Sequence, residues 1–266
     1  MLITSPVNAQ LKRARRVRDG REPEVIFIEG ERLCEECLRA ELPLVAAFYG
    51  SAPTPRTQAI IEEVERRRCS LYESPAAVLE TVSDTVHSQG IIILAERPRW
   101  DWGKLLASIT SQAAGAALLV GLDAVQDPGN VGTIIRTAEG AGAQGLIALS
   151  GTVDIFAPKT LRGAMGSAFR LPVVAAETEE LIAACRAAQI KLVATAGDGQ
   201  TIYSDYDWRQ PTLVILGNEA NGISAGLMAQ CDVRLRIPLR PPVNSLNVAA
   251  AGSVLLFEAA RQRSQP

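Results

Sequence analysis

Short apolar runs alternate with amphipathic segments along most of the chain. Near the N-terminus, EVIFIEG, LVAAFYG and IIILAE have the length and β-branched content of strands, and GERLCEECLRAE and PRTQAIIEEVERRR have helical spacing. After residue 115, AALLVGL, LIALS, LPVVAA, KLVATA and residues 213–216 and 233–237 read as buried strands, with helices such as PKTLRGAMGSAFR and EELIAACRAAQ between them. This order predicts an α/β protein with an open, doubly wound, mostly parallel sheet.

A pause in this alternation predicts two domains. Residues 96–103, ERPRWDWG, combine proline, charges and two tryptophans, which is typical of a linker. We place the boundary near Pro98, with a smaller α/β domain over residues 1–98, a linker and lead-in helix over residues 99–115, and a second domain over residues 116–266. Trp100 and Trp102 are expected to anchor the linker against a domain rather than to stack on a base.

Charge is nearly balanced over the chain but uneven along it. The 27 Lys and Arg residues against 29 Asp and Glu residues give a net charge of −2, which argues against a globally basic nucleic-acid-binding protein. Ser5 and Pro6 predict the start of a helix that runs to about Arg18 and carries a local basic cluster. The residues of this cluster that we single out for RNA contact are Lys12, Arg13, Arg15 and Arg16. A solvated helix face is the alternative interpretation.

Several features exclude other classes of protein. No apolar run approaches the ~18 residues of a membrane span, and the N-terminus lacks the charge order of a signal peptide, so a cytoplasmic protein without a membrane partner is expected. Five scattered cysteines predict no disulfide, and Cys34 and Cys37 are expected to pack on a helix rather than to hold a metal. The single histidine, His87, is expected in a loop.

The G-x-G-x-x-G pattern of Gly140, Gly142 and Gly145 does not fit a dinucleotide-binding turn. That turn follows a strand and opens a helix, whereas this pattern ends a predicted helix and precedes the strand LIALS. The glycines are therefore expected to end the helix and to allow close packing. An oxidoreductase is a distant alternative.

Polar and glycine-rich residues follow the predicted strands of the second domain. Because ligands bind beyond the carboxyl ends of parallel strands, residues 217–222 and 238–247 are candidate site loops. The sequence D-P-G-N at residues 127–130 is expected to be a turn between a strand and a helix over residues 131–139, which places Asn130 and Arg136 near the same edge. Asn244 or Ser245 is the expected cap of a helix over residues 248–260.

Three motifs in these loops resemble those of the SpoU, or TrmH-type, RNA ribose methyltransferases. The family patterns N-x-G-x-x-x-R-x-A, G-x-E-x-x-G and I-P-x-x-x-x-x-x-S-L-N-V are matched by NVGTIIRTA at residues 130–138, GNEANG at residues 217–222 and IPLRPPVNSLNV at residues 237–248. The resemblance covers residues 116–263, and SPVNAQLKRARRVRDGR with IEGERL is similar to the family's substrate-binding domain.

The resemblance implies a fold and an activity. The second domain is expected to be an α/β-knot, in which the C-terminal segment is threaded into a trefoil, and the first domain to resemble L30e-like RNA-binding proteins. The implied reaction moves a methyl group from S-adenosyl-L-methionine to a ribose 2′-hydroxyl of RNA, with 23S ribosomal RNA as the first choice of substrate and tRNA as the second. A homodimer is implied. Neither DNA as a partner nor a metal ion is expected. The alternative from another class is a noncatalytic RNA-binding or ribosome-assembly factor.

The resemblance also implies which residues form the site. Those expected to act on the substrate are Asn130, Arg136, Glu219, Ser245 and Asn247. Those expected to hold the cofactor, largely through backbone groups, are Thr195, Leu216, Gly217, Asn218, Ile237, Leu239 and Leu246. The family proposal makes Arg136 a base, but a guanidinium stays protonated, so we expect a phosphate clamp and electrostatic stabiliser, with base action open if its proton passes to the RNA phosphate. Glu219 is expected to pair with Arg136 or to structure its loop.

Overall fold

The computed structural model of the protein describes residues 1–85, 88–111 and 116–264. These residues form two compact units. The first unit combines Met1–Pro98 with Phe156–Arg170, and the second combines Arg99–Ile155 with Leu171–Pro266. The prediction for His87 and the part of the linker over residues 112–115 lie outside the described residues.

Helices and strands alternate along both units. Up to Pro98 they are α1 (Ala9–Arg18), β1 (Val25–Glu29), α2 (Glu31–Arg39), β2 (Leu44–Gly50), α3 (Pro55–Arg66), β3 (Leu71–Ser74), α4 (Ala76–Glu80) and β4 (Ile91–Glu96). Then follow α5 (Trp102–Ser111), β5 (Leu118–Asp123), α6 (Pro128–Gly140), β6 (Gly145–Leu149), α7 (Pro158–Ala164) and a 3₁₀ helix (Ser167–Phe169). The last are β7 (Val173–Ala176), α8 (Thr178–Ala187), β8 (Lys191–Thr195), β9 (Thr201–Ile202), β10 (Thr212–Gly217), α9 (Ala225–Met228), β11 (Val233–Arg236) and α10 (Val248–Arg263).

The first unit is built on a mixed sheet of four strands in the order β1-β4-β2-β3. β4 runs antiparallel to β1 and β2, and β2 runs parallel to β3. The buried positions of α1 are Leu11, Ala14 and Val17, which join Phe27 and Phe48 of the sheet in one core. The predicted strands β1, β2 and β4 and helices α2 and α3 are confirmed, whereas the short β3 and α4 were not predicted.

The predicted start of α1 was wrong. The helix begins at Ala9 and not at Pro6, because Asn8 is its N-cap and its side chain accepts a hydrogen bond from the backbone N–H of Gln10. The carbonyl of Ser5 instead accepts the N–H of Asn8 in the turn before the helix. A serine before a proline predicts a helix start less reliably than the asparagine three residues later.

The segment Phe156–Arg170, which we expected within the domain of residues 116–266, groups with the first unit. Within that unit, α7 packs on β1, and Nη1 of Arg162 donates to Oδ2 of Asp84 at 2.7 Å. Arg170 forms an ion pair with Glu36. The single helix predicted here is interrupted, because Met165 and Gly166 adopt φ angles of 52° and 93°.

The second unit contains a parallel sheet of seven strands in the order β7-β6-β5-β10-β8-β11-β9. The mostly parallel α/β architecture is therefore confirmed. The late strands β10 and β11 are inserted between earlier strands, β10 between β5 and β8 and β11 between β8 and β9. This insertion is consistent with a threaded C-terminal segment, and the trefoil knot itself stays a prediction.

In the second unit, α6 begins earlier than predicted, and α10 begins at Val248 as predicted but is capped by a different residue. The D-P-G-N segment is the first turn of α6 and not a turn before it, because Oδ1 of Asp127 accepts the N–H of Asn130 at 2.8 Å. α10 is capped by Asn247, whose Oδ1 accepts the N–H groups of residues 249 and 250 at 2.9 and 3.2 Å. The expected caps Asn244 and Ser245 were wrong, since they precede the first helical residue by more than one position.

Several smaller predictions are confirmed by packing. Trp100 and Trp102 pack against the apolar core of the second unit. Cys34 and Cys37 are fully buried on α2. α6 ends at Gly140, Gly142 has a φ angle of 78°, and β6 begins at residue 145.

Neither a candidate membrane span nor a candidate metal cluster is present in the described ranges. No helix there is long and apolar enough to cross a membrane, and no group of three or more His, Cys, Asp or Glu residues there could hold a metal ion.

Candidate functional site

A cavity of about 630 Å³ opens beyond the carboxyl ends of β8, β10 and β11. Its volume lies within the range of about 300–1,000 Å³ that is usual for small-molecule sites. It is lined by Thr195, Ala196, Gly197, Leu216, Gly217, Asn218, Glu219, Asn221, Gly222, Ile223, Met228, Leu235, Ile237, Leu239, Asn244, Ser245, Leu246, Asn247, Val248, Ala251 and Leu255. All seven residues expected to hold the cofactor are among them, and so are three of the five expected to act on the substrate.

The motif loop after β10, residues 218–224, folds back tightly on its own strand. The backbones of Asn218 and Gly222 exchange two hydrogen bonds, at 2.9 and 2.8 Å. A Cβ atom on Gly217 would lie 2.3 Å from the carbonyl carbon of Gly222 and 2.4 Å from the backbone nitrogen of Ile223. Only glycine fits at position 217, because the opposing atoms belong to the backbone and cannot rotate away.

Two polar side chains at the cavity already form hydrogen bonds within the protein. Nδ2 of Asn218 donates to the carbonyl of Ala124 at 2.8 Å, and its Oδ1 accepts the N–H groups of residues 220 and 221. Oγ1 of Thr195 donates to the carbonyl of Ile215 at 3.1 Å. Around these residues the cavity therefore offers mainly backbone groups to a ligand.

The arrangement fits a cofactor that carries an adenosine. Ile237, Leu239, Leu246 and Leu255 are among the aliphatic side chains that line the cavity and can contact a purine ring. The close approach at Gly217 means that backbone atoms form this part of the cavity wall. The cavity thus has the composition expected for S-adenosylmethionine.

Three side chains from the three motifs form one line of hydrogen bonds at the cavity, which we call the amide relay: Glu219, Asn130 and Asn247. Nδ2 of Asn130 donates to Oε1 of Glu219 at 3.0 Å, and Nδ2 of Asn247 donates to Oδ1 of Asn130 at 2.9 Å. Asn247 also caps α10, and Asn130 lies in the first turn of α6. The amide relay therefore joins two helix starts and one loop that are far apart in sequence.

Both ends of the amide relay fix the direction of its hydrogen bonds. The ionised carboxylate of Glu219 can only accept, so Asn130 must present its NH₂ group to Glu219 and its carbonyl to Asn247. The N–H groups of α10 can only donate, so Asn247 must present its carbonyl to the helix and its NH₂ group to Asn130. Neither asparagine can be flipped without leaving two donors or two acceptors face to face.

The carboxylate of Glu219 holds the start of α6. Desolvation is the largest single influence and acts to raise the pKa of Glu219, but hydrogen bonds from Asn130 and from the backbone of residues 219, 126 and 127 together lower this pKa below its ordinary value of 4.5. No ion pair between Glu219 and Arg136 is found in the described part of the chain. Of the two roles expected for Glu219, the geometry therefore favours structuring the loop.

Arg136 is not brought to the cavity of its own chain. It is exposed on α6 and does not line the cavity. Six residues along a helix correspond to about 600°, so its side chain leaves the helix about 120° away from that of Asn130. Ser245, in contrast, is exposed and lines the cavity.

The four basic residues of α1 that were expected to contact RNA differ in exposure and in their partners within the protein. Lys12 and Arg16 are exposed, and Nε of Arg13 pairs with Glu22 at 3.0 Å. Arg15 is half-buried and donates to the carbonyl of Pro6 and, at 3.5 Å, to Oγ1 of Thr81. Because these bonds hold Arg15 against its own unit, it is the least available of the four residues expected to contact RNA.

The part of the cavity wall formed by α9 and α10 was not predicted from the sequence. Met228 lines it from α9, and Val248, Ala251 and Leu255 line it from α10. The spacing of the three α10 residues, i, i+3 and i+7, is that of one helix face. This periodicity marks a buried face, but it does not distinguish a cavity wall from a core.

Two parts of the chain match known families. Residues 117–257 match the SpoU rRNA Methylase family, and residues 27–100 match the family RNA 2'-O ribose methyltransferase substrate binding. A similar curated protein is the 23S rRNA (guanosine(2553)-2'-O)-methyltransferase RlmP of Bacillus subtilis, which is 31% identical over 258 residues that cover 96% of this chain and 97% of the relative.

Solved structures show the same likeness. The AdoMet-bound rRNA methyltransferase from Sinorhizobium meliloti has a TM-score of 0.86 and 30% identity, and the match covers 98% of this chain and 97% of that one. A structure solved for 2-OH methylation of C/U34 on tRNA has a TM-score of 0.51 and 25% identity, and covers 55% of this chain and 96% of that one. The chain therefore belongs to the SpoU rRNA methylase family and is an S-adenosylmethionine-dependent RNA 2′-O-methyltransferase.

Proposed function

We propose that the chain methylates a ribose 2′-hydroxyl of 23S ribosomal RNA. The observation that carries this choice of RNA is the extent of the likeness. The relative that acts on 23S rRNA is similar over 96% of the chain, whereas the structure that concerns tRNA matches 55% of it. Transfer RNA is the second candidate. The cytoplasm is the proposed location.

In this proposal the second unit carries out the chemistry. S-adenosylmethionine, when bound, supplies a methyl group that its sulfonium already makes electrophilic. The protein must then place the ribose 2′-oxygen in line with that methyl group and deal with its proton. The amide relay holds the three motif loops in one arrangement around the cavity. Ser245 and Asn247, which line the cavity, are proposed to contact the ribose.

Arg136 is proposed as the phosphate clamp and electrostatic stabiliser of the substrate. Its guanidinium stays protonated at ordinary pH, which suits it to a bidentate contact with RNA phosphate. Base action is possible only if its proton passes to that phosphate. Because Arg136 does not line the cavity of its own chain, we propose that it acts at the cavity of a second copy.

A homodimer through the outer surface of α6 and α10 is proposed for this purpose. α10 exposes Val254 and Phe257, at 36% and 55%, and Leu246 before the helix is 40% exposed. Large apolar side chains that share one helix face are costly to leave in water, and a second copy of the same face would cover them. Arg136 lies on α6, which packs beside α10.

The first unit is proposed to bind the RNA. Its exposed basic residues on α1, Lys12 and Arg16, lie close to Arg13 on the same helix. Phosphate contacts of this kind position an RNA without reading its sequence. The proposed division of labour follows the domains predicted over residues 1–98 and 116–266, with Phe156–Arg170 added to the first unit.

The test is transfer of labelled methyl groups from S-adenosylmethionine to unmodified 23S rRNA and, separately, to tRNA, followed by alkaline hydrolysis. Alkali cleaves RNA through the 2′-oxygen, so a ribose methyl group protects its own linkage. Label in alkali-resistant dinucleotides from 23S rRNA is the expected result. Label in such dinucleotides from tRNA alone would replace the proposed substrate, and label in single nucleotides would contradict ribose methylation.

A further inference from the structure

A buried carboxylate outside the three motifs lies beneath the cavity. Asp123 is the last residue of β5, is 6% exposed, and stands beside Gly217 in the register of β5 and β10. Its Oδ2 accepts the backbone N–H of Ser224 at 2.6 Å. Asp123 itself is not among the described residues that line the cavity. Carboxylates are rarely buried in proteins unless they are paired with a charged group or accept hydrogen bonds.

The hydrogen bond from Ser224 holds the C-terminal end of the motif loop. The N-terminal part of the loop is held by other bonds, since Asn218 donates to the carbonyl of Ala124 and pairs with Gly222. Ile223 lines the cavity and is 7% exposed, and the carbonyl of Ser224 accepts the N–H of Met228, which also lines the cavity. Without Asp123, the backbone N–H of Ser224 would lose the acceptor that ties Ile223 and the start of α9 to the end of β5.

We infer that Asp123 is a positioning residue of the cofactor site, which acts by holding Ser224 so that Ile223 and Met228 keep the wall of the cavity in place. Neighbouring residues at the end of β5, Asp123 and Ala124, then anchor the two halves of one loop. Binding sites require such support, because walls that shift by a fraction of an ångström lose much of their affinity. The inference rests on the proposed function of this cavity as the cofactor site.

The experiment measures binding of S-adenosylmethionine and S-adenosylhomocysteine by titration calorimetry, without RNA. Asp123→Ala should weaken both by about tenfold, which corresponds to the loss of one hydrogen bond. The two ligands differ in the charge on sulfur, and equal losses are expected because Asp123 acts through the loop rather than on the ligand. Asp123→Asn keeps a carbonyl oxygen for Ser224 and should bind within about threefold of the unaltered protein.

Asp232→Ala is the matched control. Oδ2 of Asp232 also accepts a backbone N–H, that of Leu192 at 2.8 Å, but at the amino end of β8, and neither residue is among the described residues that line the cavity. This variant should lower the melting temperature and leave both affinities unchanged. If Asp123→Ala does not fold, Asp123→Glu carries the same expectation, because it displaces the carboxylate by one methylene group.

Three results would overturn the inference. They are unchanged affinity in Asp123→Ala, a loss confined to S-adenosylmethionine, and an equal loss in Asp232→Ala, which would mean that only general stability had changed. These are distinct from failure of the proposed function. If the unaltered protein bound neither ligand, the cavity would not be the cofactor site, whatever the variants did.

Discussion

At the scale of single residues, the amide relay makes its two asparagines sensitive to a change of one atom. Asn130→Asp would place a second carboxylate against Glu219, at a position where the present donor lies 3.0 Å away. Asn247→Asp would keep an oxygen for the N–H groups of α10 but would set another oxygen against Oδ1 of Asn130. Because misplaced catalytic groups cost about 100-fold in rate, we expect methyl transfer to fall by that order in both variants.

The control for these variants is Asn8→Asp. Asn8 caps α1 only by accepting the N–H of Gln10, so a carboxylate serves equally well there. Initial rates of methyl transfer and melting temperatures of the three variants should be compared. Rates near that of the unaltered protein in Asn130→Asp would show that the amide relay does not matter for catalysis.

The pKa of Glu219 predicts how the loop responds to acid. Since hydrogen bonds hold this pKa below its ordinary value of 4.5, the unfolded chain binds the proton more readily than the folded one. The stabilisation is therefore fully present at pH values above the unfolded pKa and is lost as pH falls through the lower, folded pKa.

Glu219→Gln removes this contribution and leaves the other carboxylates unchanged. The free energy of unfolding should be measured for both proteins from about pH 7 to pH 3.5. We expect a constant difference near neutral pH that narrows below about pH 4.5. A difference that stays constant through the acid range would mean that the carboxylate charge of Glu219 contributes nothing to the loop.

The motif residues themselves could be predicted from the sequence, but their partners could not. Asn130, Glu219 and Asn247 were expected at one edge of a sheet, because each lies next to a predicted strand end or helix start. The sequence left open whether Glu219 would pair with Arg136 or structure its loop. That choice depends on the direction in which α6 presents each side chain, which follows from where the helix begins, and the start of α6 was predicted three residues too late.

At the scale of elements, the C-terminal end of α10 is fixed by a guanidinium among carbonyl groups. Nε of Arg263 donates to Trp208 at 2.8 Å, and Nη2 donates to Ala117 and Gln210, both at 3.0 Å. Nη1 donates to Ala116. Burial lowers the pKa of Arg263, but an arginine remains charged at neutral pH. This side chain thus joins the last turn of α10 to the segments that lead into β5 and β10.

Arg263→Met should therefore destabilise the second unit by about 2 kcal/mol or more, since several charge-assisted hydrogen bonds are lost and their carbonyls are left half-buried. Arg261→Met is the matched control on the same helix. The exposed side chain of Arg261 forms an i,i+3 pair with Glu258 at 2.7 Å, and such pairs contribute about 0.5 kcal/mol or less. Denaturant unfolding measures both, and equal losses would mean that the buried contacts of Arg263 do not stabilise the fold.

The same contacts explain why element ends were harder to predict than the elements. The apolar spacing of α10 was recognised as far as residue 260, but its last turn is held by carbonyls that precede β5 and β10, 146 and 53 residues away. The starts of α1, α6 and α10 depend on which of several nearby polar side chains reaches the first N–H groups. No periodicity encodes that choice.

At the scale of the whole molecule, the order of elements was predictable and their assignment to units was not. The alternation of strands and helices predicts two α/β domains, one before Pro98 and one after it. It does not predict that Phe156–Arg170 groups with the first unit, because the contacts responsible, such as Arg162 with Asp84, join residues 78 positions apart. Likewise, local patterning cannot place β10 between β5 and β8.

The proposed homodimer gives the last prediction, which concerns Arg136. If Arg136 serves the cavity of a second copy, Arg136→Ala should lower methyl transfer by at least about 100-fold and leave cofactor binding unchanged, since its own cavity is untouched. Gly217→Ala should instead abolish cofactor binding, because the added Cβ would lie 2.3 Å from the backbone of Gly222. Gly226→Ala, where a Cβ meets nothing within 4 Å, is the control for that change.

Each of the two damaged homodimers should be inactive, yet a heterodimer of the two chains should not be. The chain with Arg136→Ala keeps an intact cavity, and its partner with Gly217→Ala keeps Arg136, so one of the two sites is complete and about half of the activity per dimer should return. Two affinity tags allow the heterodimer to be purified after co-expression. Phe257→Asp, introduced into both chains, should abolish both the dimer in light scattering and the recovered activity, whereas Val7→Asp, also at an exposed apolar residue but in the first unit, should affect neither. An inactive heterodimer would mean that Arg136 acts on the cavity of its own chain, and α6 would then have to turn to bring it there.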